Sequence, residues 1–557
     1  MFKRTKLKKL ISIVVLGTMV VSFSTACNKE LSNENNSKIR NFKEETEDEK
    51  EYYEVKKGEA DIVEYNLGEG TIKQSYGQDM PYEINGVIGV PKEGENHPIV
   101  YIMHGTHEIN DYNNDRYDLG FKYLVEELAK SGFLTVAINT NAQYVFEYGE
   151  PYAYERLNQI YDKHFESLKT AINGGENKFG MKLDKKGDIN KVGLIGHSRG
   201  GLALDEIVSS QKEKGNQNVF GMIKVAPSNW ILIDDANPDI PTGFIQPEYD
   251  GDVVGHDSQQ SFDEIKKKDN FNSWVSMVFL KGANHNFFND NVKNDDKRLG
   301  YADENHDEFL DRKGQKEFLV NYSIDFLYKA LGKEINSEIF DATKSNISKA
   351  YGFDIKSSFI SNEEELLLGA LDKESVNENL FGGGNTANKL IIDYVIESYI
   401  PNDDQLGIFN QGGNPEKMEL LNITWDNKKG EYILDISEEK KDISEFKSIS
   451  LYMGIDPGNE LNRIGENQSF SLVIKDGEGK ESTVILDTKT SALNWPAGKI
   501  MDTELGPIWS MPTSLSDARI SLDKFKGVDL KNIDSITLKF DQTKQGSLLI
   551  RDIRFMK

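Results

Sequence analysis

One serine in this sequence is placed to act as a nucleophile. In Gly196-His197-Ser198-Arg199-Gly200-Gly201, glycines stand two residues to either side of Ser198. The motif follows the apolar run Lys191-Val192-Gly193-Leu194-Ile195, read as a strand, and precedes 201–209, read as a helix. A serine on so sharp a strand-to-helix turn is held at strained backbone angles, and side chains at the flanking glycine positions would collide. Its hydroxyl then projects above the sheet at the start of the helix, where the helix dipole favours developing negative charge. A serine hydroxyl attacks poorly on its own. It needs a base to take its proton, an acid to orient the base, and N–H groups to receive an oxyanion.

All eight histidines lie between His97 and His306. His285, in Gly282-Ala283-Asn284-His285-Asn286, directly follows the apolar run Ser276-Met277-Val278-Phe279-Leu280 and is the best-placed base. His256 and His306 are its rivals, each in a polar stretch typical of a solvated loop. The acid should lie between Ser198 and His285, in Gln246-Pro247-Glu248-Tyr249-Asp250-Gly251-Asp252. Asp250 fits the turn better and Asp252 remains the alternative; the loser would cap the turn or support the winner. The oxyanion hole is expected from the amide of Arg199 and that of Thr106, in the loop His104-Gly105-Thr106-His107.

These groups must be carried by elements that converge. Ile99 to Met103, Phe133 to Ile138, Met222 to Ala226 and Ser276 to Leu280 read as short buried strands. Tyr117 to Lys130, Tyr154 to Ile172 and Gln315 to Leu331 have helical spacing. Such alternation predicts a mostly parallel sheet with helices on both faces. Over about 61–335 the elbow, the acid turn and the histidine tail, in the chain order Ser198, Asp250, His285, resemble the α/β-hydrolase superfamily. Within it they are similar to secreted bacterial esterases of the dienelactone-hydrolase, chlorophyllase and cutinase kind. The resemblance implies ester hydrolysis through an acyl-enzyme, with neither metal nor organic cofactor. Pro247 departs from it, standing where glycine is common in the acid turn. The segment 139–154 carries Tyr144, Phe146, Tyr148, Tyr152 and Tyr154, either an aromatic wall over the substrate or loop packing. Asp303, Asn305 and Asp307 alternate like a calcium loop, but no glycine follows at the required place, so the expectation is a solvated acidic loop.

The N-terminus reads as an export signal. Lys3, Arg4, Lys6, Lys8 and Lys9 precede the apolar run from Leu10 to Phe23, then Ser24-Thr25-Ala26-Cys27. The run is short for a membrane span. Cys27 is the one cysteine of the chain, and the four residues resemble a bacterial lipobox, which implies a lipid thioether on Cys27. The lone cysteine leaves no partner for an internal disulfide, and none for a CxxC zinc site or a cysteine-held Fe–S cluster. Residues 28–60 are acidic and lack apolar periodicity, as expected of a tether on the outer face of the cell membrane.

After about residue 345 the periodicity changes to two. Tyr432 to Ile436, Ser448 to Met453, Phe470 to Ile474, Ser482 to Leu486 and Ser535 to Phe540 are strand candidates separated by turns such as Asp476-Gly477-Glu478-Gly479. They predict an all-β sandwich that resembles the jelly-roll modules of secreted enzymes. Trp425, Trp495 and Trp509 fall here; they would stack on sugars or fill a core, and burial is the commoner fate. The expected domains are 1–27 signal, 28–60 tether, 61–340 α/β-hydrolase and 341–557 sandwich with an N-terminal linker.

The 557 residues carry 92 acidic and 66 basic side chains, a net charge of −26 that disfavours nucleic-acid binding. The expectation is a membrane-tethered serine hydrolase acting on a small or polymer-linked ester, with carbohydrate as a further partner of the sandwich. Two alternatives stay open: a glycan-binding lipoprotein without catalysis, and an amidase or peptidase using the same three residues.

Overall fold

The computed structural model describes residues 52–557 apart from 75–76, 146–153, 217, 229–236, 269, 297–308, 400–416 and 504–505. Ten strands build the first sheet: β1 (Ala60–Ile72), β2 (Met80–Pro91), β3 (His97–Met103), β4 (Leu134–Ile138), β5 (Gly187–His197), β6 (Val219–Val225), β7 (Thr242–Pro247), β8 (Val275–Leu280), β9 (Lys349–Ala350) and β10 (Phe353–Ile360). Their order is β1-β2-β4-β3-β5-β6-β7-β8-β10-β9. The central six, β4 through β8, run parallel, while β2 on β4 and β10 on β8 are antiparallel. The parallel strands read as continuous apolar runs because both faces are covered; every residue of β4, β7 and β8 is buried.

Helices α1 (Lys122–Lys130) and α6 (Arg312–Ala330) cover one face, burying Leu124, Leu128, Phe318 and Leu327 against β3, β5 and β8. Helices α2 (Tyr154–Ile172) and α4 (Leu204–Glu213) cover the other, burying Leu157, Tyr161 and Ile207. The short helix α3 (Arg199–Leu202) precedes α4, and α5 (Asp257–Lys266) links β7 to β8. This is the α/β-hydrolase fold.

Two departures from the sequence reading have plain physical causes. β1 and β2 pair over most of their length ahead of the first expected strand. β1 is an edge strand in which Asp61, Glu64 and Glu69 are all exposed, so the apolar signal is diluted. The sheet also runs past residue 340, the expected boundary, because β10 returns to pair with β8 along Ile355–Ile360.

The C-terminal region is two packed antiparallel sheets. One joins Ile391–Ser398, Lys417–Trp425, Gly546–Met556, Ser448–Ile455 and Ser516–Ser521, with Glu364–Gly369 also on Gly546–Met556. The other joins Asn385–Asn388, Gly430–Asp435, Ile533–Phe540, Phe470–Asp476 and Glu481–Leu486. Trp425 lies between them, stacked on Phe540 at 4.4 Å, its Nε1 donating to Thr543 O at 3.3 Å. The outer face of the first sheet is covered as well: Met418, Leu420, Tyr452 and Leu549 pack on Phe262 and Ile265 of α5 and on Met277 and Phe279 of β8. Gly546–Met556 is therefore buried along its whole length.

Candidate active site

The site is assembled where the parallel strands end. Ser198 follows the last residue of β5 with φ 57° and ψ −128°, a backbone conformation non-glycine residues rarely adopt. The neighbouring glycines make the turn possible. A Cβ on Gly196 would stand 2.4 Å from Gly200 O, and one on Gly200 would stand 2.6 Å from His104 O. A Cβ on Gly105 would lie 2.5 Å from Ser198 Cβ and 3.0 Å from Ser198 Oγ. The loop after β3 thus runs directly beside the serine, bringing Thr106 to it, while Arg199 opens α3 on the other side.

His285 lies in the loop after β8, fully buried. Its Nδ1 donates to Asp250 Oδ2 at 2.9 Å, and Asp250, in the loop after β7, is itself buried. Asp250 Oδ1 accepts from the amides of Asp252 and Val253 at 3.1 and 2.7 Å, which fixes the carboxylate in its own turn. Asp252 stands on the other side of the ring: its exposed carboxylate has Oδ2 3.5 Å from His285 Nε2. That Nε2 is buried and has no hydrogen-bond partner among the described residues. The elbow reaches the same place through His197, whose Nε2 donates to His285 O at 2.9 Å and whose ring packs 4.7 Å from that of His285. Pro247, the departure from the family pattern, closes β7 and leaves the turn to begin at Glu248.

The electrostatics set His285 apart from its neighbours. Burial alone would lower its basicity, but the adjacent Asp250 charge and hydrogen bond, then Asp252 and Asp296, outweigh that and raise it to about 9. His104 and His197 are buried and His107 is partly buried, none with such a carboxylate against it, and desolvation pushes all three below the ordinary value, so they are neutral. His104 is structural: Nδ1 donates to Gly105 O at 2.8 Å and Nε2 accepts from Thr140 N at 2.9 Å. His107 stacks between His104 and His197 and packs on Tyr117. Its Nε2 and Thr106 Oγ1 are also buried without a partner among the described residues.

His256, the rival base, caps α5 at the edge of the sandwich, its Nδ1 donating to Thr513 O at 3.4 Å, and takes no part here. His306, the other rival, lies outside the described residues, as do Phe146, Tyr148, Tyr152, Asp303, Asn305, Asp307 and Cys27. Tyr144 is buried, with its hydroxyl donating to His104 O at 3.4 Å. No group of three or more His, Cys, Asp or Glu among the described residues is arranged to hold a metal ion.

Two contributors escaped the sequence reading. Asp296 is half-buried beside the histidine loop, and its carboxylate accepts from three backbone amides. Its signal was lost in the polar run Asn294-Asp295-Asp296-Lys297. The second comes from the sandwich: Met511 and the partly buried Trp509 and Ala497 pack on Tyr249, the residue before Asp250, together with Phe309. Trp509 also crosses Trp495 edge to face at 5.6 Å and donates Nε1 to Ala497 O at 3.1 Å.

No family model and no curated protein matches the chain. Among solved structures it is similar to an esterase from Pyrobaculum calidifontis, with 15% identity over 50% of this chain and 88% of that one, at a TM-score of 0.31. It is similar to a dienelactone hydrolase-like promiscuous phosphotriesterase from metagenomic libraries, with 12% identity over 49% of this chain and 99% of that one, at a TM-score of 0.29. A family 11 carbohydrate-binding module from Clostridium thermocellum, in complex with a β-1,3-1,4-mixed-linked tetrasaccharide, is 14% identical over 35% of this chain and 95% of that one, at a TM-score of 0.20.

Proposed function

We propose that the protein is a serine hydrolase of carboxylic esters. The observation that carries this is the buried pair His285 Nδ1 to Asp250 Oδ2 at 2.9 Å, joined to the strained elbow of Ser198 through His197 Nε2 to His285 O at 2.9 Å. In this reading His285 Nε2 takes the Ser198 hydroxyl proton as Oγ attacks the ester carbonyl. The amides of Thr106 and Arg199 receive the oxyanion, and Asp250 holds the ring and stabilises its positive form. His285 then protonates the leaving alkoxide, giving an acyl-enzyme that water hydrolyses through the same base. Every group in this scheme comes from the chain itself.

Turnover of p-nitrophenyl esters by residues 52–557 tests it. Ser198→Ala is expected to lower kcat by roughly 10⁴-fold or more with unchanged melting; turnover equal to the parent would contradict the assignment. The export reading is part of the same proposal: Cys27 carries a diacylglycerol anchor on the outer membrane face, and 28–60 is the tether. Incorporation of a clickable palmitate analogue in cells, abolished in Cys27→Ala, is the expected outcome.

A further inference from the structure

Asp250 and His285 belong to different loops, 35 residues apart, at the ends of β7 and β8. Strand pairing ends at Pro247 and Leu280, so the sheet itself does not set their mutual position. A few backbone bonds bridge the two loops below the site, from Glu248 N to Leu280 O and from Tyr249 N to Ala283 O. Glu248 Oε2 accepts from Gly282 N at 3.0 Å beside them, and nearer the reacting pair the Asp296 side chain spans the gap. Asp296 Oδ2 accepts from Gly251 N at 3.1 Å and from His285 N at 2.9 Å, and Oδ1 accepts from Asn286 N at 2.9 Å. Gly251 adjoins the acid, and His285 is the base.

We infer that Asp296 is a positioning residue of this site, a half-buried carboxylate that ties the acid turn to the base loop and places a negative charge near the imidazole. The inference rests on the functional reading above. Bonds from amides to a carboxylate are charge-assisted and about twice as strong as neutral ones, so one side chain can hold two loops in register. The span matters because roughly 1 Å of misplacement in such a site costs on the order of 10²-fold in rate. The charges facing Asp296 are His285 and Asp250; the Asp295 carboxylate beside it accepts from Asn284 Nδ2 at 2.9 Å. Burial raises the Asp296 carboxyl to about 6, with His285 opposing and Asp250 adding to the rise, so it is ionised when His285 works in neutral and alkaline solution.

The test compares Asp296→Asn, Asp296→Glu and Ser198→Ala on p-nitrophenyl acetate, with melting curves for each. Asp296→Asn keeps the shape but removes the charge and turns an N–H toward an amide. It should lower kcat about 10- to 100-fold with KM within about twofold. The acid limb of its kcat/KM profile should move to lower pH, because a negative neighbour that favours the imidazolium is gone. Asp296→Glu should keep the limb near the parent's position while losing kcat. Parent-like kcat and limb in Asp296→Asn overturn the inference, and so does a kcat loss with an unmoved limb, which would mark a merely structural residue. If Asp296→Asn does not fold, a parent-like kcat in Asp296→Glu overturns it. Full turnover in Ser198→Ala removes the site reading and the inference with it, whereas an inactive Ser198→Ala beside a parent-like Asp296→Asn removes the inference alone.

Discussion

Two regions of this molecule bury polar groups, and they do it differently. At the seam between the α/β sheet and the sandwich, the buried charges of Lys266, Asp263, Asp552, Arg551 and Arg554 face opposite ones, while Lys356 Nζ donates to Ser514 Oγ at 3.0 Å. Lys266 Nζ of α5 meets Asp552 Oδ2 at 2.8 Å and lies 3.9 Å from the Tyr452 ring centroid. Asp263 accepts from the Tyr399 hydroxyl at 2.6 Å and lies 3.6 Å from Arg551 Nε, while Arg554 Nε pairs with Asp552 at 2.9 Å. At the end of the parallel strands, by contrast, the network stops short. Asp296 holds the His285 amide and Asp250 holds His285 Nδ1, but His285 Nε2, His107 Nε2 and Thr106 Oγ1 are left without a partner among the described residues. Buried polar groups cost free energy unless paired. Charges matched across the seam fasten it, although Asp263 Oδ1 and the Tyr452 hydroxyl are also without a partner among the described residues; in the proposed reaction the open Nε2 of His285 is the atom that takes a proton. The sandwich is bound into the α/β sheet rather than carried beside it.

The largest effect should come from the open end. Asp250→Asn removes the acceptor that fixes the His285 tautomer and is expected to lower kcat about 10⁴-fold with little change in melting. A small loss would mean another group orients the ring. At the seam the effect should be on stability instead. Asp263→Ala leaves Arg551 buried against a missing partner and should destabilise by about 3–5 kcal/mol, with turnover per titrated site unchanged. Denaturant unfolding alongside active-site titration reads both, and a turnover loss without destabilisation would erase the distinction between the two regions. Trp425→Ala should behave like a seam variant, losing about 3–5 kcal/mol for its core position and leaving ester turnover alone; denaturant unfolding checks the loss, and a parent-like midpoint would show the ring contributes no core packing.

The smallest effect sharpens the site itself. Activity needs neutral His285, and three carboxylates favour its charged form, so kcat/KM should rise with pH up to about 9 and then level. Asp252 is solvent-exposed and screened, so Asp252→Asn should move that limb down by about half a unit without abolishing activity. An unmoved limb would show that Asp252 does not sense the base.

Much of this was legible in the sequence, because it rests on local pattern. Continuous apolar runs flanked by glycine marked β3 through β8, and each candidate catalytic group follows one of them. The choice between Asp250 and Asp252 was not legible, since both sit in one turn and only three-dimensional placement shows Asp250 at Nδ1 and Asp252 beside Nε2. Asp296 was hidden because its role depends on two distant backbone segments rather than on its neighbours. The burial of Trp425 and the packing of Met511 and Trp509 on Tyr249 likewise depend on contacts the period-two pattern does not encode. β1 escaped through its polar edge, and β10 because it follows α6, where the helix–strand alternation had seemed complete.

The central claim is that Ser198 is an armed nucleophile. Labelling residues 52–557 with a fluorophosphonate probe and mapping the modified peptide tests it most directly. A single adduct on Ser198 is expected, lost in His285→Ala and slowed in Asp250→Asn. A folded protein that takes up no probe, or one labelled equally well without His285, would contradict it.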